Sequence, residues 1–73
     1  MTRPGYVLTV AGEMDDRLRE EFGDVDVDTA RGVTRLTVAS TDPSVVHGLL
    51  HRVEAFGLEL LEVRSLPAIV PPP

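Results

Sequence analysis

Hydrophobic and polar positions alternate near the start of the chain, where Tyr6, Leu8 and Val10 share one face of Tyr6-Val7-Leu8-Thr9-Val10 between Pro4-Gly5 and Ala11-Gly12. Aromatic and β-branched residues at a period of two predict a strand. The period then lengthens. Met14, Leu18 and Phe22 recur among Asp15, Asp16, Arg17, Arg19, Glu20 and Glu21, which predicts a short charged helix over 13–22 with one narrow apolar stripe. Acids in its first turn suit the helix dipole, and Gly23 stands where a left-handed residue would end it. Alternation resumes as Val25 and Val27 among Asp24, Asp26 and Asp28, reverses at Thr29-Ala30-Arg31-Gly32, and continues through Val33-Thr34-Arg35-Leu36-Thr37-Val38. This predicts a β-hairpin. If Val25 and Val27 share a face with Leu36 and Val38, then Asp26 and Asp28 fall beside Arg35 and Thr37 on the other.

Asp42-Pro43 reads as an N-cap followed by proline in the first helical position, where its missing N–H does no harm. Apolar residues at 45, 46, 49, 50, 53 and 56 then trace a broad helical stripe, and Gly57 stands at the C′ position, so a second helix is expected over 43–56. Leu58 to Leu66 supplies a last strand, with Leu61 and Val63 pointing inward and Leu60, Glu62 and Arg64 outward. Residues 67–73 follow as a proline-rich tail suited to an extended conformation. The order β-α-β-β-α-β predicts an α+β domain over 1–66 of the ferredoxin-like type. Its antiparallel sheet would have four strands in the order 4-1-3-2 and both helices on one face. The expected helix-facing residues are Leu8, Val10, Met14, Leu18, Phe22, Val25, Val27, Leu36, Val38, Val46, Leu49, Val53, Phe56, Leu61 and Val63.

Length and charge narrow the function. The chain has 73 residues, enough for one domain with a thin core that association would stabilise. Cysteine is absent, which removes disulfides and thiolate chemistry and fits a reducing cytoplasm. Twelve acids stand against seven cationic side chains, a formal net charge of −5. All seven are arginines, scattered at 3, 17, 19, 31, 35, 52 and 64, so nucleic acid is not an expected partner. No run is long and apolar enough for a membrane span, and the first residues lack a signal-peptide pattern. The use of arginine without lysine points to a high-GC, actinobacterial genome.

The uncovered sheet face is the principal candidate surface. Pleating assigns to it Val7, Thr9, Asp26, Asp28, Arg35, Thr37, Leu60, Glu62 and Arg64. Among these Val7, Thr9, Arg35, Thr37, Leu60, Glu62 and Arg64 form a candidate interface for a second copy, set against plain solvation of an antiparallel face. His47, His51 and Glu54 share one helical stripe that a metal could bridge. That stripe lies opposite the apolar one, so a solvated surface accounts for it and no metal is expected. Gly48 interrupts a helix at a cost of about 1 kcal/mol, which invites either a close neighbour or simple tolerance. Gly12 sits in the loop where acylphosphatases bind phosphate and where ACT domains bind ligands. However, Glu13, Asp15 and Asp16 follow it and would repel an anion. Ser40, Ser44 and Ser65 lack a nucleophile elbow. No catalytic residue or cofactor is expected.

The segment Tyr6-Val7-Leu8-Thr9-Val10-Ala11-Gly12, together with Asp15-Asp16-Arg17, Thr34-Arg35-Leu36 and Val46-His47-Gly48-Leu49-Leu50-His51-Arg52-Val53 followed by Gly57-Leu58-Glu59-Leu60, resembles a group of short uncharacterised actinobacterial proteins. The resemblance spans most of 6–64. It departs at Ala39-Ser40-Thr41-Asp42-Pro43-Ser44, where the group carries a Gly-Pro-x-x-Asp-Gln run. The resemblance implies the same fold and adds no catalytic residue. The expectation is a non-catalytic interaction or regulatory module, homodimeric through the open sheet face or an edge strand. An ACT-like small-molecule sensor is the alternative, and a small ferredoxin-like enzyme a distant third.

Overall fold

In the computed structural model, which describes residues 4–40 and 42–66, the first strand, β1 (Gly5–Ala11), occupies an inner position of the sheet. It pairs antiparallel with β3 (Val33–Val38) on one side and β4 (Leu60–Leu66) on the other. Next to β3 lies β2 (Asp26–Ala30), giving the order β2-β3-β1-β4, which reads 4-1-3-2 from the β4 edge. The two helices are α1 (Asp16–Glu20) and α2 (Pro43–Ala55). No helix among the described residues is long and apolar enough to cross a membrane.

Register decides which residues meet. Leu8 faces Leu36 and Val10 faces Thr34 across β1 and β3. Leu8, Val10 and Leu36 join Met14, Phe22, Leu49 and Val53 in one buried cluster. Both helical segments therefore pack on the same sheet face. Side chains of this size contribute roughly 1.5–3 kcal/mol each when fully buried. The hairpin turns on Arg31 and Gly32, with φ of 54° and 81°, so Ala30 pairs with Val33 in a two-residue I′ turn. Thr29 and Ala30, expected in the reversal, belong to the strand instead.

Helix α2 follows its sequence signals. Asp42 caps it by accepting from the Ser44 N–H at 3.0 Å, with Pro43 in the first turn. At the other end the Leu58 N–H reaches the Val53 carbonyl and the Gly57 N–H reaches that of Glu54, both at 3.0 Å, while Gly57 takes φ 69°. These two bonds make a Schellman motif that satisfies carbonyls the helix leaves open.

Three further expectations are corrected. The first helix is shorter than 13–22, because Asp15 caps it from outside by accepting from the Leu18 N–H at 2.9 Å. Its far end tightens into i→i−3 bonds from Glu21, Phe22 and Gly23. Met14 and Phe22 are buried from the flanking turns. Gly23, secondly, does not take a positive φ, since those tight turns end the helix without a left-handed residue.

Thirdly, Leu61 and Val63 are not in the core. They are 52% and 44% exposed, and Phe56 is 42% exposed. Phe56 is the C-cap residue and lays its ring against that of Phe22 at 5.6 Å, tilted by 56°. Val63 keeps the Leu8 side of the sheet but stands on the edge strand, whereas for Leu61 the cause is a β-bulge: Thr9 pairs with Glu62 but Val10 with Leu60, which skips Leu61. A skipped residue reverses side-chain alternation beyond it. Leu60 thus turns toward the Val10 face and Leu61 toward the opposite one. Residues 67–73, the expected tail, lie outside the described residues.

Candidate functional site

The uncovered sheet face holds a shallow depression lined by Val7, Thr9, Val33, Arg35, Leu61, Glu62, Arg64 and Leu66. The strand registers put Val7 opposite Thr37 and Arg64, and Thr9 opposite Arg35 and Glu62. Five of the seven candidate interface residues, Val7, Thr9, Arg35, Glu62 and Arg64, line it, and Thr37 stands beside Val7 on the same face. Leu60 is the exception, turned away by the bulge. Val33, Leu61 and Leu66 join instead. Period-two reading from Ala11 onto β3 would have found Val33, whereas Leu61 could be placed only with the β1 register known. Asp28 stands directly opposite Arg35, as the alternation predicts. Arg64 Nε lies 3.6 Å from Glu62 Oε1 with both side chains largely exposed, so solvent screens their attraction.

The β4 margin of this face is unusual for a strand. Every residue from Leu60 to Ser65 is exposed, and among them Leu60, Leu61 and Val63 are large aliphatics at 40–52% exposure. No β4 side chain belongs to the buried core cluster. Among the described residues no other strand pairs with its outer edge. A free ladder of N–H and C=O groups flanked by apolar side chains is a template for pairing with another strand.

The loop at Gly12 is closed on itself. The Gly12 N–H donates to the Gly32 carbonyl at 2.7 Å, and its carbonyl accepts from Thr34 Oγ1 at 2.7 Å. The same Thr34 oxygen accepts from the Met14 N–H at 3.0 Å. Glu13 Oε2 accepts from the Gly32 N–H at 3.1 Å. The N–H groups of Gly12, Met14 and Gly32, which an anion would need, are spent within the chain, and a carboxylate stands in their midst. Thr34, fully buried, locks the loop onto the hairpin. Its place on the core face next to Leu36 was legible from alternation, but its partners were not.

Arg52 is a second residue whose part sequence reading misses. Its Nη1 donates to both carboxylate oxygens of Asp24 at 3.0 and 3.1 Å, and its Nη2 to the Glu21 carbonyl. Its guanidinium carbon lies 4.7 Å from the centre of the Phe22 ring, within cation–π range. Arg52 thereby ties α2 to the turn after α1. The hydrogen bond from Arg52 lowers the Asp24 pKa below its usual value, helped by the residue's own N–H. Asp42 is likewise lowered, first by the Ser44 N–H and then by the Ser44 hydroxyl. Both shifts are structural in origin.

His47, His51 and Glu54 are exposed on α2, and among the described residues no three His, Asp or Glu side chains gather to hold a metal. Around Gly48 an added Cβ would meet nothing within 4 Å. Within the chain, then, nothing approaches that backbone closely.

The chain belongs to a family described as a domain of unknown function, DUF8691, whose profile matches residues 5–64. The match takes in every element described above except the last two residues of β4. No curated protein and no solved structure matches the chain.

Proposed function

We propose that this DUF8691 domain is a non-catalytic protein-interaction module that works as a homodimer, with β4 and the adjoining open sheet face as its contact surface. The observation that carries this is β4 itself: a full-length edge strand with three large aliphatics exposed and none of its side chains in the core. A thin core leaves such a domain with much to gain from a second copy. We read the arrangement as ferredoxin-like, supported by the strand order and by both helices packing on one face. The absence of cysteine supports a cytoplasmic setting, and arginine without lysine an actinobacterial source. The acidic balance weighs against nucleic acid as a partner.

The non-catalytic part of the reading is supported by the chemistry of the polar groups. Asp24 and Asp42 are each held in the charged form by hydrogen bonds, which suits structural carboxylates, whereas a general acid calls for a group pushed toward neutrality. Sedimentation equilibrium from low to high micromolar concentration tests the association. The expected result is twice the chain mass at the upper end. A single-chain mass throughout would overturn the homodimer.

A further inference from the structure

Resting on the homodimer reading, we infer that two copies join through antiparallel pairing of β4 with β4 on a twofold axis at Val63, making one continuous eight-stranded sheet. A twofold axis perpendicular to a sheet keeps each side chain on its own face, so opposite residues must come from the same face of the pleat. That condition leaves few registers. An axis at Glu62 sets Glu62 against the partner's Glu62, and an axis at Arg64 sets Arg64 against the partner's Arg64. Both oppose like charges, which is destabilising. An axis at Val63 sets Val63 against the partner's Val63 and Glu62 against the partner's Arg64, and by symmetry Arg64 against the partner's Glu62.

The middle of the strand, Glu62-Val63-Arg64, is therefore self-complementary in charge and size. Glu62 and Arg64 already lie 3.6 Å apart within one chain. Pairing would place four alternating charges in a closed ring on the open face. On the helix face Val63, 44% exposed and opposite Leu8, would gain a valine neighbour. The bulge at Leu60–Leu61 bends the strand beyond this stretch, which confines regular pairing to the 62–66 half. The opposite edge is unlike this one, since β2 presents Asp26 and Asp28, an acidic rim that repels its own copy.

The test uses the full chain, which has no cysteine of its own. Residues directly opposite in an antiparallel pair have Cα atoms about 4.5–5.5 Å apart, inside the span a disulfide bridges, about 4.4–6.8 Å. Val63→Cys is expected to oxidise to a covalent dimer. Ser65→Cys is expected not to, because its counterpart would lie about 13 Å along the partner strand. Charge exchange gives a second readout. Glu62→Arg or Arg64→Glu alone should weaken self-association by about tenfold or more. Mixing the two variants should restore it, since every opposed pair is then of unlike charge. Dimers by sedimentation that cross-link through Ser65→Cys and not Val63→Cys, or that do not recover on mixing, would overturn the register and leave the homodimer standing. Monomers by sedimentation would overturn both.

Discussion

Thr34 satisfies two backbone groups with one buried hydroxyl, donating to the Gly12 carbonyl and accepting from the Met14 N–H. Thr34→Val keeps the shape and removes both bonds, leaving a donor and an acceptor without partners. The expected loss is about 1–3 kcal/mol, read as a lower urea midpoint with an unchanged slope. Asp24 makes a pH prediction. Its pKa is lower folded than unfolded, mainly through the Arg52 hydrogen bond, so its contribution is present above the ordinary aspartate value and fades as pH falls through the folded one. Asp24→Asn should thus lower stability near neutrality, and the gap to the parent protein should close below about pH 4. Urea midpoints of the two proteins between pH 7 and pH 3 measure this, and a gap constant with pH would refute it. Both residues bond across long stretches of sequence, 20 residues from Thr34 to Met14 and 28 from Arg52 to Asp24. Spacing along the chain carries no trace of such contacts.

Among the elements, α2 was legible to its ends because its signals are local: Asp42 reaches the N–H two residues on, and Gly57 closes bonds within the last turn. The bulge in β4 was not, since it exists only relative to β1, and Leu60 and Leu61 are equally apolar. The glycines divide in the same way. Gly48 stands in a helix interior with open space where a Cβ would go. Gly48→Ala should stabilise by about 1 kcal/mol, a rise of about 4–8 °C in Tm for a domain of this size. Gly5 looks just as ordinary in sequence, yet a Cβ there would overlap the Val38 carbonyl oxygen of the neighbouring strand. Gly5→Ala is therefore expected to lower Tm, so that one substitution at two glycines moves stability in opposite directions. Thermal unfolding of the two variants beside the parent protein checks it. A fall for Gly48→Ala would point to a neighbour on α2 from outside the chain.

On the scale of the molecule, the two sheet edges are unequal. Val27 of β2 packs against the core cluster and β2 carries acids outward, whereas β4 is held by its ladder to β1 with no side chain in the core. In a single chain β4 should consequently open more readily than β1 or β3, because local opening costs least where few apolar contacts must be broken. Association changes this for β4 alone. Pairing its free edge would engage outward backbone groups and cover Val63, and mass action would make that protection grow with protein concentration. Hydrogen exchange at two concentrations, one below and one above the association midpoint, separates the edges. Amides of 60–66 should slow at the higher concentration while those of 26–30 keep their rates. Slowing confined to β1 and β3 would move the contact from the edge to the open face, and equal rates everywhere would deny it to both.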